Sequence, residues 1–156
     1  MIIGVIGGNK CTGNVCEIAE AVGKYIAESG SLMVCGGLGG VMEYACKGAK
    51  QAGGKTIGIL PGMDKADANE YVDIPIPTGL HIARNMVIIH TADVLIAIDG
   101  GYGTLSEIAF ALNAGKPVVA LQTWSLELAG KVDDELFLHV DDPKTAVDLA
   151  VKLAVR

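Results

Sequence analysis

The sequence has no run of basic residues, and its 12 Lys and Arg stand against 18 Asp and Glu, for a formal charge of −6. Recognition of a nucleic-acid polymer works by neutralising phosphates with clustered cations, so that class of partner is excluded. The four cysteines, Cys11, Cys16, Cys35 and Cys46, include no Cys-x-x-Cys pair, and no histidine stands at metal-ligand spacing. Zinc and a redox dithiol are therefore poorly supported, and all four are read as reduced thiols serving as small apolar residues. The first apolar stretch, Ile2 to Ile6, has no basic segment before it and no cleavage site after it, and is too short for a signal peptide or a membrane span. A cytoplasmic protein without a membrane partner is expected. There is also no Gly-x-x-x-x-Gly-Lys loop and no dinucleotide fingerprint, which sets aside a P-loop ATPase and an NAD-dependent dehydrogenase.

What remains is a chain of 156 residues, 51% hydrophobic and only 4% aromatic. Its interior must be built from Val, Ile, Leu and Ala, which suits a parallel sheet buried on both faces. The length fits one domain over residues 1–156. Apolar runs at Met1 to Ile6, Leu32 to Cys35, Thr56 to Leu60, Asp93 to Ile98, Val118 to Leu121 and Leu136 to Val140 read as strands. Tyr71 to Ile76 reads as an edge strand, because Pro75 and Pro77 cannot donate to a central ladder. Helical spacing follows at Val15 to Glu28, with Asn14 as its cap, and at Val41 to Ala52, Leu80 to His90, Thr104 to Asn113 and Pro143 to Val155. Alternation of the two patterns predicts a Rossmann-like α/β/α sandwich with a mainly parallel sheet. The segment Gln122 to Lys131 reads equally as a lid or as a connection.

Three strands run into glycine clusters: Gly7-Gly8, Gly36-Gly37-x-Gly39-Gly40 and Gly100-Gly101-x-Gly103. Glycine there lets the backbone turn and a phosphate approach, while a helix N-terminus supplies free N–H donors. In a parallel sheet the three would meet at the carboxyl ends of the strands, where ligands bind. A phosphorylated small molecule held mainly by backbone N–H groups is thus compatible with the negative net charge.

The segment Cys35-Gly36-Gly37-Leu38-Gly39-Gly40-Val41-Met42, with Ala45 and Gly48-Ala49 after it, resembles the first signature of the Lonely Guy-like, or SLOG, superfamily, formerly labelled possible lysine decarboxylases. The second signature, Pro-Gly-Gly-x-Gly-Thr-x-x-Glu, is matched by Asp99-Gly100-Gly101-Tyr102-Gly103-Thr104-Leu105-Ser106-Glu107. Between them the family carries an Arg-Lys pair on a helix, and here Arg84-Asn85 stands in its place. The resemblance implies hydrolysis of the N-glycosidic bond of nucleoside 5′-monophosphates, with Arg84 and Glu107 catalytic. It also implies a ligand site formed by Gly8, Gly36, Gly37, Gly39, Gly40, Asn85, Asp99, Gly100, Gly101, Tyr102, Gly103 and Thr104. A carboxylate near the ribose would steady an oxocarbenium-like state, and an arginine would hold phosphate or base.

Simpler roles stand beside these. Thr104 and Glu107 fit a Thr-x-x-Glu capping box, and Arg84 could be an interface arginine on an apolar helix. Asp99 and Asn85 depart from the family pattern, and the departures resemble a branch near the carrier proteins of molybdenum cofactor. The second expectation is accordingly a non-catalytic carrier or sensor of a nucleotide or molybdopterin-type ligand. No resident cofactor or metal is expected, and pyridoxal chemistry lacks a lysine at the pocket, since Lys55 precedes a strand and Lys116 follows a helix. A mean hydropathy of +0.43 and the apolar helices from Leu80 and Thr104 predict a homodimer or homotetramer.

Overall fold

Glycine and proline close several of the apolar runs, and strands and helices largely alternate along the chain. The structure, a computed structural model, describes residues 1–126 and 135–155. Its strands are β1 (Ile2–Gly7), β2 (Leu32–Cys35), β3 (Thr56–Leu60), β4 (Ile74–Pro77), β5 (Val94–Ile98), β6 (Val118–Leu121) and β7 (Phe137–Val140). Its helices are α1 (Asn14–Glu28), α2 (Val41–Gln51), α3 (Asn85–Thr91), α4 (Tyr102–Asn113) and α5 (Pro143–Leu153). All strand pairs are parallel, in the order β4-β3-β2-β1-β5-β6-β7. The expected three-layer α/β fold is the one observed.

Along β5, Val94, Ile96 and Ile98 enter a core with α1, α2 and α5, whereas Leu95 and Ala97 enter a second core with α3 and α4. This two-sided burial explains why the strand is a continuous apolar run rather than an alternating one. The chain steps outward from β1 to β4 and then returns to the other side of β1 to lay down β5, β6 and β7. Strand order therefore reverses between β1 and β5, where Gly7 is in register with Ile98. A crevice must open just beyond these two residues.

Pro75 and Pro77 lie in the edge strand β4, as their missing N–H groups require. Asp142 caps α5 by accepting from the Thr145 N–H at 2.9 Å, with Pro143 in the first turn. Three expectations need correction. The cap of α1 is Gly13 at φ 52, without a side-chain cap bond, so Asn14 lies already inside the helix. The helix expected from Leu80 is divided into a 3₁₀ turn at His81–Arg84 followed by α3. Its start is tied to the turn after β3 by bonds from Gly79 N–H to Gly62 O and from His81 N–H to Pro61 O, with His81 at φ 50. Lastly, Cys11 and Cys16 are joined in a disulfide, while Cys35 and Cys46 remain free and buried. Helix α1 brings Cys16 back to within 5.5 Å of Cys11, Cα to Cα, a span suited to a bridge that sequence spacing alone does not reveal.

Of the segment Gln122 to Lys131, residues 127–131 lie outside the described residues. The described part closes on the third glycine turn, with Trp124 Nε1 donating to Gly101 O at 3.1 Å. No helix among the described residues is long and apolar enough to cross a membrane.

Candidate functional site

The crevice beyond β1 and β5 contains a cavity of about 320 Å³. Gly7, Gly8 and Asn9 enter it from β1, and Gly36, Leu38 and Met42 from the β2–α2 turn. Gly101, Gly103, Thr104 and Glu107 enter from α4, and Arg84 and Asn85 from the start of α3. All three glycine clusters thus reach one cavity. Its volume lies at the lower end of the range of small-molecule sites, roughly 300–1,000 Å³.

Arg84 is 8% exposed, an unusual depth for a guanidinium. Its Nη1 donates to Asn85 Oδ1 at 2.8 Å, and its Nε is buried without a partner. Burial pulls the guanidinium below its ordinary pKa, against the opposing attraction of Glu107. Gly36 makes room for it: a Cβ there would lie 2.6 Å from both Nη1 and Nη2. The second residue of the signature is therefore glycine because the arginine head occupies the space of its side chain.

Glu107 is 7% exposed on the cavity wall. Burial raises its carboxyl to about 7, although Arg84 acts in the other direction. Sequence spacing suggested a capping box with Thr104, but α4 begins at Tyr102 with Gly101 as its cap and no side-chain cap bond. Glu107 consequently sits in the second turn, facing inward, where neither the cap nor the macrodipole accounts for a buried carboxyl.

At the start of α4 the first intrahelical bond runs from Leu105 N–H to Gly101 O. The N–H groups of Tyr102, Gly103 and Thr104 precede it and are the free donors of the helix end. A Cβ at Gly101 or Gly103 would meet no atom within 4 Å, and neither residue has a positive φ. Neither glycine is demanded by packing or by the turn. Both leave bare backbone beside the cavity, an arrangement that admits an anion.

The remaining candidates do not line this cavity. Gly37, at φ 72, packs on Leu60 and Gly58; Gly40, at φ 62, packs on the backbone of Gly8 to Lys10; and Gly100 packs on Thr104. Their lack of a side chain is explained by the turns themselves. Gly39 N–H donates to Asn9 Oδ1 at 3.2 Å and faces a neighbouring acidic depression lined by Glu43, Asp67 and Glu70. Tyr102 is 84% exposed and stacks on Trp124. Asp99 has φ 49, a left-handed conformation that aspartate tolerates and that proline, the residue at this place in the signature it resembles, cannot adopt. Its Oδ2 lies 3.8 Å from the place a Gly8 Cβ would take, so a carboxylate borders the crevice. The turn also receives a bond from Thr123 Oγ1 to Asp99 O.

Asn9, Leu38 and Met42 line the cavity without having been singled out as site residues. Asn9 follows Gly7-Gly8 at the end of β1, and that position was its only signal. Leu38 and Met42 stand within the first signature, where an apolar residue reads as core. His81 and His90 are exposed, outside the cavity.

The chain matches the SLOG cluster4 family over residues 1–147. It is 50% identical over 122 residues to an uncharacterised protein of Archaeoglobus fulgidus, covering 78% of this chain and 80% of that one. It is 33% identical over 118 residues to the cytokinin riboside 5′-monophosphate phosphoribohydrolase of Mycobacterium tuberculosis, covering 69% of this chain and 63% of that enzyme. Among solved structures it is similar to the molybdenum cofactor binding protein of Rippkaea orientalis, with 39% identity, a TM-score of 0.90, and coverage of 99% and 97% of the two chains. The molybdenum cofactor carrier protein of Chlamydomonas reinhardtii superposes with a TM-score of 0.89 and 39% identity over 99% of each chain.

Proposed function

The chain belongs to the SLOG cluster4 family, and we propose that its crevice binds a phosphorylated, nucleotide- or pterin-like small molecule, which the protein carries rather than consumes. One observation carries this reading: the buried Arg84 guanidinium has an unpartnered Nε beside a cavity bordered by bare glycine backbone. A buried cation without a counter-charge is costly. An anionic group of the ligand would complete it with charge-assisted bonds, while the N–H groups of Tyr102 to Thr104 receive the remaining oxygens. Glu107, largely protonated below pH 7, withdraws little of that positive charge.

The carrier form of the reading is supported by near-complete coverage in both directions of the molybdenum cofactor binding proteins, whereas the chain spans 63% of the mycobacterial hydrolase. Asn85 stands where the hydrolase signature has a lysine, so this chain lacks one of the cations that the resemblance gives to the hydrolases. The cargo would bring its own reactive centre, and the protein's residues would supply only the seat.

A second reading, hydrolysis of nucleoside 5′-monophosphates, is favoured by the raised carboxyl of Glu107 on the same cavity as Arg84. A carboxyl poised near neutrality is suited to proton transfer. Calorimetric titration with a panel of nucleoside monophosphates and phosphorylated pterins, followed by chromatography of each mixture, separates the two. Saturable binding with the ligand recovered intact is expected. Catalytic release of free base, abolished by Glu107→Gln, would replace the carrier with a hydrolase.

Self-association belongs to the same proposal. Leu80, Ile82, Tyr102 and Phe110 expose 49%, 75%, 84% and 49% of their surface around the helices that frame the cavity. A second copy of the chain would remove this apolar surface from water. Light scattering at micromolar protein should give at least a dimer, and Ile82→Glu should shift it toward monomer; a monomeric wild type removes this part of the proposal.

A further inference from the structure

The first glycine turn continues into the disulfide. Beyond Gly8 and Asn9, which line the cavity, the loop reaches Cys11, and Cys16 lies in the first turn of α1. No side chain caps that helix, whose N-cap is Gly13. The covalent link fixes the helix entry where a capping hydrogen bond would ordinarily do so. The same loop supports the second glycine turn. Asn9 Oδ1 accepts from Gly39 N–H at 3.2 Å, and Gly8 O accepts from Val41 N–H, the first donor of α2, at 3.0 Å. Gly40 is packed so closely on this loop that a Cβ would lie 2.5 Å from Lys10 N. Residues 8–11 therefore join three things: the disulfide, the start of α2 and the cavity wall.

We propose that the Cys11–Cys16 disulfide is a redox clasp on the ligand cavity: it holds the β1–α1 loop in its binding form, and its reduction loosens the loop and weakens ligand binding. The ligand part rests on the binding reading above; the loop part does not. The two sulfurs differ in a way that suits exchange. Cys11 is partly open to solvent, whereas Cys16 is 7% exposed at a helix N-terminus. An external thiolate attacks Cys11 Sγ, the S–S bond breaks, and Cys16 departs as a thiolate favoured by the helix end. With a dithiol as reductant, its second thiol then attacks the mixed disulfide and displaces Cys11. The protein gains two electrons and two protons, and the dithiol becomes a cyclic disulfide. A link of only five residues' separation closes again readily when an oxidant returns.

The buried pair Cys35 and Cys46, with Sγ atoms 3.5 Å apart, has no such access and serves as an internal control. Thiol titration in denaturant should find two free thiols before treatment with dithiothreitol and four after; four at the outset overturns the proposal. In the folded protein, the amides of Gly39 and Val41 should exchange hydrogen roughly tenfold faster after reduction. Affinity for adenosine 5′-monophosphate, the probe ligand, should fall by roughly tenfold in the same step. Cys11→Ser should reproduce the reduced wild type and ignore the dithiol. Equal exchange at Gly39 and Val41 in both redox forms overturns the clasp, as does a dithiol effect that persists in Cys11→Ser. If the probe binds neither form, the binding reading fails for that ligand, and the exchange rates still decide the clasp.

Discussion

Gly103→Ala is expected to make the protein more stable and a poorer binder. Gly103 lies in the first turn of α4, without a positive φ, and a Cβ there would touch nothing within 4 Å. Alanine in a helix is favoured over glycine by about 0.5–1 kcal/mol, so the thermal midpoint should rise. The added methyl would occupy the approach to the free N–H groups at the helix end. Displacing a phosphate from one or two charge-assisted hydrogen bonds costs about 1.5–3 kcal/mol, or roughly ten- to a hundredfold in affinity. The opposed signs matter, because a residue with a merely structural role would change binding only by losing stability. Increased stability with undiminished affinity would remove the start of α4 from the ligand site.

Glu107→Gln should flatten the dependence of stability on pH. The carboxyl is raised by burial to about 7 in the folded protein, against an ordinary value of 4.5. Between these limits the native state keeps a proton that the unfolded chain has released, so stability falls as pH rises through the window. A separation of this size corresponds to about 3 kcal/mol, fully lost only above pH 7. Glutamine stays neutral throughout. At pH 8 the variant should therefore exceed the wild type by about 2–3 kcal/mol, and at pH 4 the two should agree. Urea denaturation at a series of pH values measures this directly, and parallel curves for the two proteins would show that Glu107 is not a buried, protonated group.

The layout of strands and helices was legible in the sequence because the central strands are largely buried on both faces, and β1, β2 and β3 run directly into glycine or proline. Such runs leave few alternative readings, and β2, β3 and β6 fall where the apolar pattern puts them. The convergence of three glycine turns was legible for the same reason, since parallel strands all end at one edge of the sheet. Within the site, the resemblance to the two family signatures singled out Arg84 and Glu107 but not their environment. The capping-box reading of Glu107 failed because α4 starts two residues earlier than Thr104, and local pattern alone does not fix helix ends.

Other features depend on backbone conformation and long-range contacts. The 3₁₀ turn that carries Arg84 over the strand ends is tied by hydrogen bonds to the turn after β3, which no periodicity within Leu80 to His90 encodes. The roles of Gly36 and Gly103 are opposite, one glycine making room for an arginine and the other for open space, yet the two are identical as letters. Asn9 became a site residue only because β1 ends where β5 ends. The disulfide joins two cysteines whose spacing fits no motif, and only the turn into α1 brings them together.

Arg84 and the start of α4 together make up the proposed anion seat. Its most direct test is a calorimetric titration of the wild type with each phosphorylated ligand of the panel and with its dephosphorylated counterpart, for instance adenosine 5′-monophosphate against adenosine. Saturable binding that requires the phosphate is expected, with affinity for the dephosphorylated form weaker by roughly a hundredfold or more. Equal affinity for the two forms of a ligand that binds would contradict it.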